Sequence, residues 1–377
     1  MNWKIEGLKR VDGIFGRLAC SASRLIATPR ITQDTKSPKI LVIRPGGIGD
    51  AVLLFPALRE LRAEFPESLI NVLAEKRNSG VLAFCPYVDN IILYDERPLS
   101  WLNAVIRGKY DIVIDTEQWH RLTAALSYMT GAPVRVGFQT NERAELYSHK
   151  IPFSHSDYEA RSFLNLASAV TGVQYEFKPD EPFVSVDSFG SGDIDTALGD
   201  FRKNKKALVG IFAGATVPER RWGVSKFAEL TKKLAAMGMG AVILGGKEDL
   251  ENSSEIKSTS ASENVMDFTG KTALAVTAYI ISKLDLLVSG DTGLMHLAYG
   301  VGTPTVSLFG AGIEEKWAPQ GKNHIAINKR LSCSPCTKFG YTPPCPYDVK
   351  CLNDITVEEV LLTVQKIHSG RKRKKAT

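Results

Sequence analysis

Short, wholly apolar runs alternate twice along this chain with amphipathic stretches, and that alternation limits the fold more than any other feature. From Lys39 the first set reads ILVIR as a buried strand, then a glycine-rich turn and a helix with Leu54, Leu58, Leu61 and Phe65 on one face. LINVLA, NIILYD and YDIVID continue as strands between helical patterns, and RVGF is a weaker fifth. Strands that are apolar on both faces and separated by helices build a parallel sheet covered on both sides. A polar, turn-rich stretch over residues 179–206 then holds the domain boundary. After it come ALVGIF, a helix over 225–237, GAVILGG, VMDFTG, a helix near 272–283, DLLVSG, a short helix at Gly293, and TVSLFG. The expected class is α/β, with two doubly wound Rossmann-like domains over 39–185 and 207–355 joined by a linker over 186–206. Such sheets bind ligands at their carboxyl edges, so two of them in tandem are expected to face a cleft. A length of 377 residues accommodates both.

Composition excludes other classes. With 44% hydrophobic and 23% charged residues the chain is neither disordered nor a fibrous repeat. No uncharged apolar run approaches the roughly 18 residues a spanning helix needs. The excess of 47 basic over 41 acidic residues sits at the ends: residues 1–38 carry seven Lys/Arg against three Asp/Glu, and the tail 371–375 adds five more positive charges. The body between them is negative, so no nucleic-acid groove is implied. Residues 1–28 lack the separate apolar core of a signal peptide, and six cysteines in such a chain are expected to be reduced thiols in a cytoplasm.

Residues 1–38 form an extension and linker. Trp3, Leu8, Val11, Phe15 and Leu18 recur at helical spacing with Lys4, Lys9, Arg10 and Arg17 between them. This is the pattern of a helix lying in an anionic lipid interface, and equally of a helix packed on its own domain. At the other end, residues 356–377 read as a helix and a basic tail.

Three turns could carry chemistry. In RPGGIGDAVLLFPAL, Gly46, Gly47 and Gly49 let backbone amides approach an anion at a helix start, and Asp50 is either a helix cap or a carboxylate facing the cleft. This is not a dinucleotide fingerprint, because Val52 stands where its last glycine is needed. In AGATVPERRWGVSKF, Thr216, Arg220, Arg221 and Trp222 follow a strand end and form a plausible diphosphate clamp, against the alternative of a solvated basic loop. In SGDTGLMHLAYGVGTPTVSLFG, Asp291 and Thr292 open a helix whose amides at Thr292 and Gly293 can meet a phosphate. His296 lies one turn further on, and Gly310 begins another turn at the same sheet edge.

Two further patterns suggest metals. Asp193 and Asp195 form a D-x-D, but in a polar linker before a helix, where capping explains them better. Cys333, Cys336, Cys345 and Cys351 have a spacing that suits zinc or an iron–sulfur cluster, although the second C-x2-C of a zinc ribbon is absent.

Taken in order, RPGGIGDAVLLFPAL, AGATVPERRW, SGDTGLMHLAYGVGTPTVSLFG and WAPQG with the CSPC segment resemble glycosyltransferase family 9, the heptosyltransferases of lipopolysaccharide core synthesis. The resemblance implies a GT-B architecture. It also implies an inverting, metal-independent transfer, with no cofactor required, from an ADP-activated heptose to a lipid-linked lipopolysaccharide inner-core acceptor. With the reduced thiols and the basic ends, the expected location is cytoplasmic and peripheral at the inner membrane, on its anionic surface. By the family pattern Asp50 is the general base, Arg220 holds the donor diphosphate and Glu248 the ribose. Asp291, Thr292, Gly293 and His296 match the donor-binding D-T-G-x-x-H. Where the family commonly has Gly-Pro-Thr, this chain has Gly310, Ala311 and Gly312, which removes a hydroxyl near the phosphates. The competing functions are a nicotinamide-dependent oxidoreductase with Glu75 on a ribose, and a catalytically silent membrane-associated protein that binds a sugar nucleotide.

Overall fold

The computed structural model describes residues 3–26, 36–96, 98–259, 262–338 and 340–375. The chain forms two compact units, Met1–Phe177 and Lys178–Thr377.

The first unit holds a parallel six-stranded sheet: β1 (Ile40–Arg44), β2 (Ile70–Ala74), β3 (Asn90–Leu93), β4 (Ile112–Asp115), β5 (Val134–Gln139) and β6 (His149–Pro152). Their order is β3-β2-β1-β4-β5-β6, and Ile40 of β1 sits opposite Ile70 on one side and Ile112 on the other. Strands β1, β2 and β4 are buried throughout, as covered central strands must be. Strand β6 carries no such apolar run because it is an edge strand, largely exposed, and its sequence HKIP has no pattern to announce it. The helix expected after β1 is two helices, Ile48–Leu53 and Phe55–Glu64. Pro56 explains the break, since it lacks an N–H and its ring crowds the turn before it.

The first helix, Trp3–Ile26, packs on this unit. Asp12 is 3% exposed and its Oδ1 accepts the N–H groups of Arg121 and Leu122, each at 2.6 Å, capping the helix Leu122–Met129. One turn and two turns on, Gly16 and Cys20 are also buried, Cys20 among Ala124, Ala125, Leu146 and Tyr147. The side chains of Trp3, Lys4, Leu8, Lys9 and Arg10, and those of the tail from Arg371, lie outside the described residues.

The second unit repeats the plan with β7 (Leu208–Phe212), β8 (Gly240–Ile243), β9 (Val265–Asp267), β10 (Leu286–Gly290), β11 (Thr305–Phe309) and β12 (His324–Asn328). The order β12-β11-β10-β7-β8-β9, read from β9, is the order of the first sheet. The stretch 186–206, expected as a linker, contains the helix Gly192–Arg202, which belongs to this unit. Ser191 Oγ accepts the Ile194 N–H at its start, Leu198 is buried, and Asp195 accepts the Tyr279 hydroxyl at 2.7 Å. Asp193 and Asp195 are therefore first-turn residues of a helix capped by Ser191. The last helix, Val357–Lys375, adds Val357, Val360, Val364 and Ile367 to the same core.

Both sheets reverse their direction of winding once, between β1 and β4 in the first and between β7 and β10 in the second. Ligands of doubly wound sheets collect at the carboxyl ends of those strand pairs.

Candidate active site

At the first switch point β1 ends on Arg44, and the chain turns through Gly46 into the helix Ile48–Leu53, with Gly47 as its N-cap. Gly46 has φ of +115°, and a Cβ there would lie 3.1 Å from Arg44 Nη2 and 3.2 Å from Asp50 Oδ2. Only glycine allows the turn and leaves those two side chains their places. The turn is held from behind by two buried residues at the end of β2. Glu75 Oε1 accepts the Gly46 N–H at 2.9 Å, and Asn78 Nδ2 donates to the Arg44 carbonyl at 3.0 Å. Gly49 is buried in the helix. Asp50 is in its first turn and half-buried, and its carboxylate makes no hydrogen bond or ion pair with the described residues, so the cap reading of its side chain does not hold.

Across the switch point, the loop after β4 folds around Glu117, whose Oε1 accepts the N–H groups of Gln118 at 2.8 Å and Trp119 at 3.0 Å. Burial raises the Glu117 carboxyl, but the charges of His120, Arg143 and Arg44 and the Trp119 N–H outweigh it and bring it down to about 2. Beneath it, the fully buried Arg143 pairs with Asp115 at 2.8 Å, and Tyr147 donates to the same carboxylate at 2.7 Å.

The second switch point gathers most of the expected donor residues. Arg220 ends a short 3-10 turn, Pro218–Arg220, and its Nη1 lies 2.9 Å from Oδ2 of the buried Asp291, just past β10. The Arg220 guanidinium also lies 5.9 Å from the centre of the Trp317 ring. Thr292 is the N-cap of the helix Gly293–Gly300, with no side chain bonded to the first-turn amides. Thr292 Oγ1 is tied back to Ser289 Oγ at 2.8 Å. Thr292 and Gly293 are both part-exposed, so that helix terminus is open to an anion. His296 is buried one turn below it, and Thr216 is exposed on the loop after β7.

Glu248 lies after β8 in the exposed turn Lys247–Asp249, beside Gly246. Its neighbour Asp249, which the motifs do not mark, is the buried member: its Oδ2 accepts the Gly246 N–H at 3.0 Å. Burial pushes the Asp249 carboxyl up, against the effect of that N–H.

The sequence profile of glycosyltransferase family 9 (heptosyltransferase) matches residues 100–343. The chain belongs to glycosyltransferase family 9. It is accordingly a glycosyltransferase, an enzyme. Lipopolysaccharide heptosyltransferase 2 of Salmonella typhimurium is 26% identical over 290 residues, 72% of this chain and 82% of that protein. The solved structure of E. coli ADP-heptose lps heptosyltransferase II has a TM-score of 0.68 at 24% identity, covering 89% of this chain and 99% of that one. A glycosyl transferase family 9 structure from Veillonella parvula gives 0.70 at 22%, covering 88% and 97%. These likenesses establish the GT-B fold, with its two Rossmann-like domains.

Trp222 and the four late cysteines hold structural places. Trp222, expected at the donor, is 1% exposed in the core of the second unit, packed edge-on to Phe227, and its indole N–H donates to the Ile355 carbonyl at 2.9 Å. It anchors the Arg220 loop to the last helical segment and presents nothing to a ligand. Among the described residues no group of three or more His, Cys, Asp or Glu side chains is placed to hold an ion, and the four late cysteines are no exception. Cys333 is exposed whereas Cys351 is buried under Gly310. What the segment does is brace the turn after β11. The Cys336 and Thr337 N–H groups donate to the Ala311 carbonyl, and the Ser334 hydroxyl donates to that of Gly310.

The departure from Gly-Pro-Thr also has a structural reason. A Cβ on Gly312 would lie 2.1 Å from Asp291 Oδ2, so the carboxylate that pairs with Arg220 occupies the space a side chain would need. Gly312→Thr, which restores the common family residue, is expected to cost about 1–3 kcal/mol through overpacking, a few degrees of melting temperature at this domain size. A melting temperature that stays at the wild-type value would show that the turn yields instead.

Proposed function

We propose that the chain is an inverting heptosyltransferase that moves heptose from ADP-heptose onto the inner core of a lipopolysaccharide acceptor. The observation that carries this reading is the half-buried Asp50 carboxylate, unengaged at the switch point of the first sheet, in a protein whose second sheet presents an open helix terminus beside a fixed arginine. The likeness to the Salmonella lipopolysaccharide heptosyltransferase 2 and the E. coli ADP-heptose lps heptosyltransferase II supports the choice of sugar, nucleotide and acceptor class.

In this reading Asp50 takes the proton from the acceptor hydroxyl as that oxygen attacks the anomeric carbon. The bond to the diphosphate breaks with inversion. The charge that develops on the departing ADP is met by Arg220 and by the amides at Thr292 and Gly293, while Glu248 holds the ribose. Asp291 fixes the Arg220 guanidinium in place. The leaving group is thus met by hydrogen-bond donors of the chain itself, the Arg220 guanidinium and the helix-terminal amides.

The nicotinamide reading would require Glu75 for a ribose. That side chain is instead buried and committed to the Gly46 N–H, the Tyr94 hydroxyl and Arg77. A silent sugar-nucleotide binder would have no use for the unpaired carboxylate of Asp50. Among the described residues no helix is long and apolar enough to cross a membrane. With a lipid-linked acceptor, the enzyme would work as a peripheral protein at the cytoplasmic face of the inner membrane.

A melting-temperature panel of ADP, UDP, GDP, dTDP and NAD tests the donor assignment. At 100 times its dissociation constant a ligand stabilises by about 2.7 kcal/mol, so ADP should raise the midpoint well above the others. Transfer onto purified heptose-deficient inner core should follow with ADP-heptose alone. Stabilisation by a different nucleotide, or no transfer from ADP-heptose, overturns the proposal.

A further inference from the structure

The first helix resolves into two faces with different partners. Asp12, Gly16, Cys20 and Ser23, spaced three or four apart, are buried against the first unit. On the opposite side Val11, Ile14, Phe15 and Leu18 are 44%, 69%, 54% and 65% exposed. These four, at the i, i+3, i+4 and i+7 positions of one stripe, are the densest run of exposed large apolar side chains among the described residues. Soluble surfaces rarely leave such a stripe uncovered, so it marks a contact.

We infer that this outer face is a docking surface for a membrane of anionic lipid. Of the two alternatives read from the sequence, a lipid-facing helix and a domain-packed one, the packed face is observed, and it leaves the opposite face for lipid. The stripe lies parallel to the helix axis along two turns, which suits insertion in the plane of a headgroup layer. Charge selects the occupant. Residues 1–38 carry seven cations against three anions, and Arg17 lies beside the stripe. The Arg17 side chain is 76% exposed and held in position by Glu142 at 2.8 Å. An apolar strip with Arg17 beside it, on a basic segment fixed by Asp12, complements acyl chains beneath acidic headgroups, whereas a second identical helix would bring like charges together. The inference rests on the proposed function only for its purpose, to hold the enzyme beside a lipid-borne acceptor. The binding itself is measured without acceptor or donor.

The test is co-sedimentation of the full chain with vesicles of phosphatidylglycerol and phosphatidylcholine, and with vesicles of phosphatidylcholine alone. The triple variant Ile14→Gln, Phe15→Gln, Leu18→Gln keeps all the charges and the basic tail. It replaces only exposed residues with a good helix former, so its melting temperature should match wild type. Wild type should partition to the anionic vesicles at least about ten-fold more than to the neutral ones, and the variant at least about ten-fold less than wild type. Phe15→Gln alone, expected to lose part of the binding, carries the test if the triple variant fails to fold. Transfer to delipidated core by the variant should equal wild type, which keeps a failure of docking distinct from a failure of the proposed chemistry. Variant binding that matches wild type assigns docking to the basic tail and overturns the inference. So does wild type that ignores anionic vesicles at low salt, or that self-associates through the stripe in sedimentation velocity.

Discussion

Asp50→Asn is expected to lower turnover by about 100-fold or more, the scale of general-base catalysis, while ADP binding stays within about two-fold. Asparagine keeps the shape of the side chain and the backbone of the first helical turn, but it has no oxygen that can take a proton. Because the Asp50 carboxylate has no partner among the described residues, the substitution breaks no hydrogen bond or ion pair, and the melting temperature should not move. That separates chemistry from folding more cleanly here than at Glu75 or Asp115, whose carboxylates hold structure. The measurement is single-turnover transfer from ADP-heptose together with ADP titration of the same protein. Turnover close to wild type would remove Asp50 from the mechanism.

Arg220→Ala should weaken ADP by about 10- to 100-fold, since a hydrogen bond to a charged group contributes about 1.5–3 kcal/mol. Adenosine, which lacks the diphosphate, should lose no more than about two-fold. The loss for ADP has two sources: a missing cation, and an Asp291 carboxylate left beside the phosphates without its partner. Arg220→Lys restores the charge without the planar fork and should fall between the two. Glu248→Ala makes the complementary test, because a ribose contact serves ADP and adenosine alike, so both should weaken together. Equal losses of ADP and adenosine in the Arg220 variant would contradict the division of the donor between these residues. Isothermal titration of the two ligands against the three variants decides it.

The Rossmann-like pair was legible from the chain because its evidence is local. A central parallel strand is covered on both faces and therefore reads as an apolar run, as ILVIR and ALVGIF do, whichever strand lies beside it. The candidate site was legible for the same reason. The glycines, Asp50, Asp291 and Thr292 each sit within a few residues of a strand end, so a strand–turn–helix reading puts them at a carboxyl edge before any tertiary contact is known. The edge strands β6 and β12 escaped because partial exposure erases the run.

What the chain could not show alone depends on residues far apart in sequence. Gly46 is pinned by Glu75, 29 residues away, Trp222 is drawn into the core by a carbonyl 133 residues on, and Asp12 caps a helix 109 residues later. Asp249 and Gly312 matter only because folding sets one against Gly246 and the other against Asp291. The same holds for the first helix, whose composition fits two environments equally. The buried Asp12–Cys20 face settled which side meets the protein, and with it which side remains for a partner. Patterns of polarity reach only as far as the next turn of chain, whereas the packing of one element on another is set by shape and charge complementarity between segments that sequence separation keeps apart.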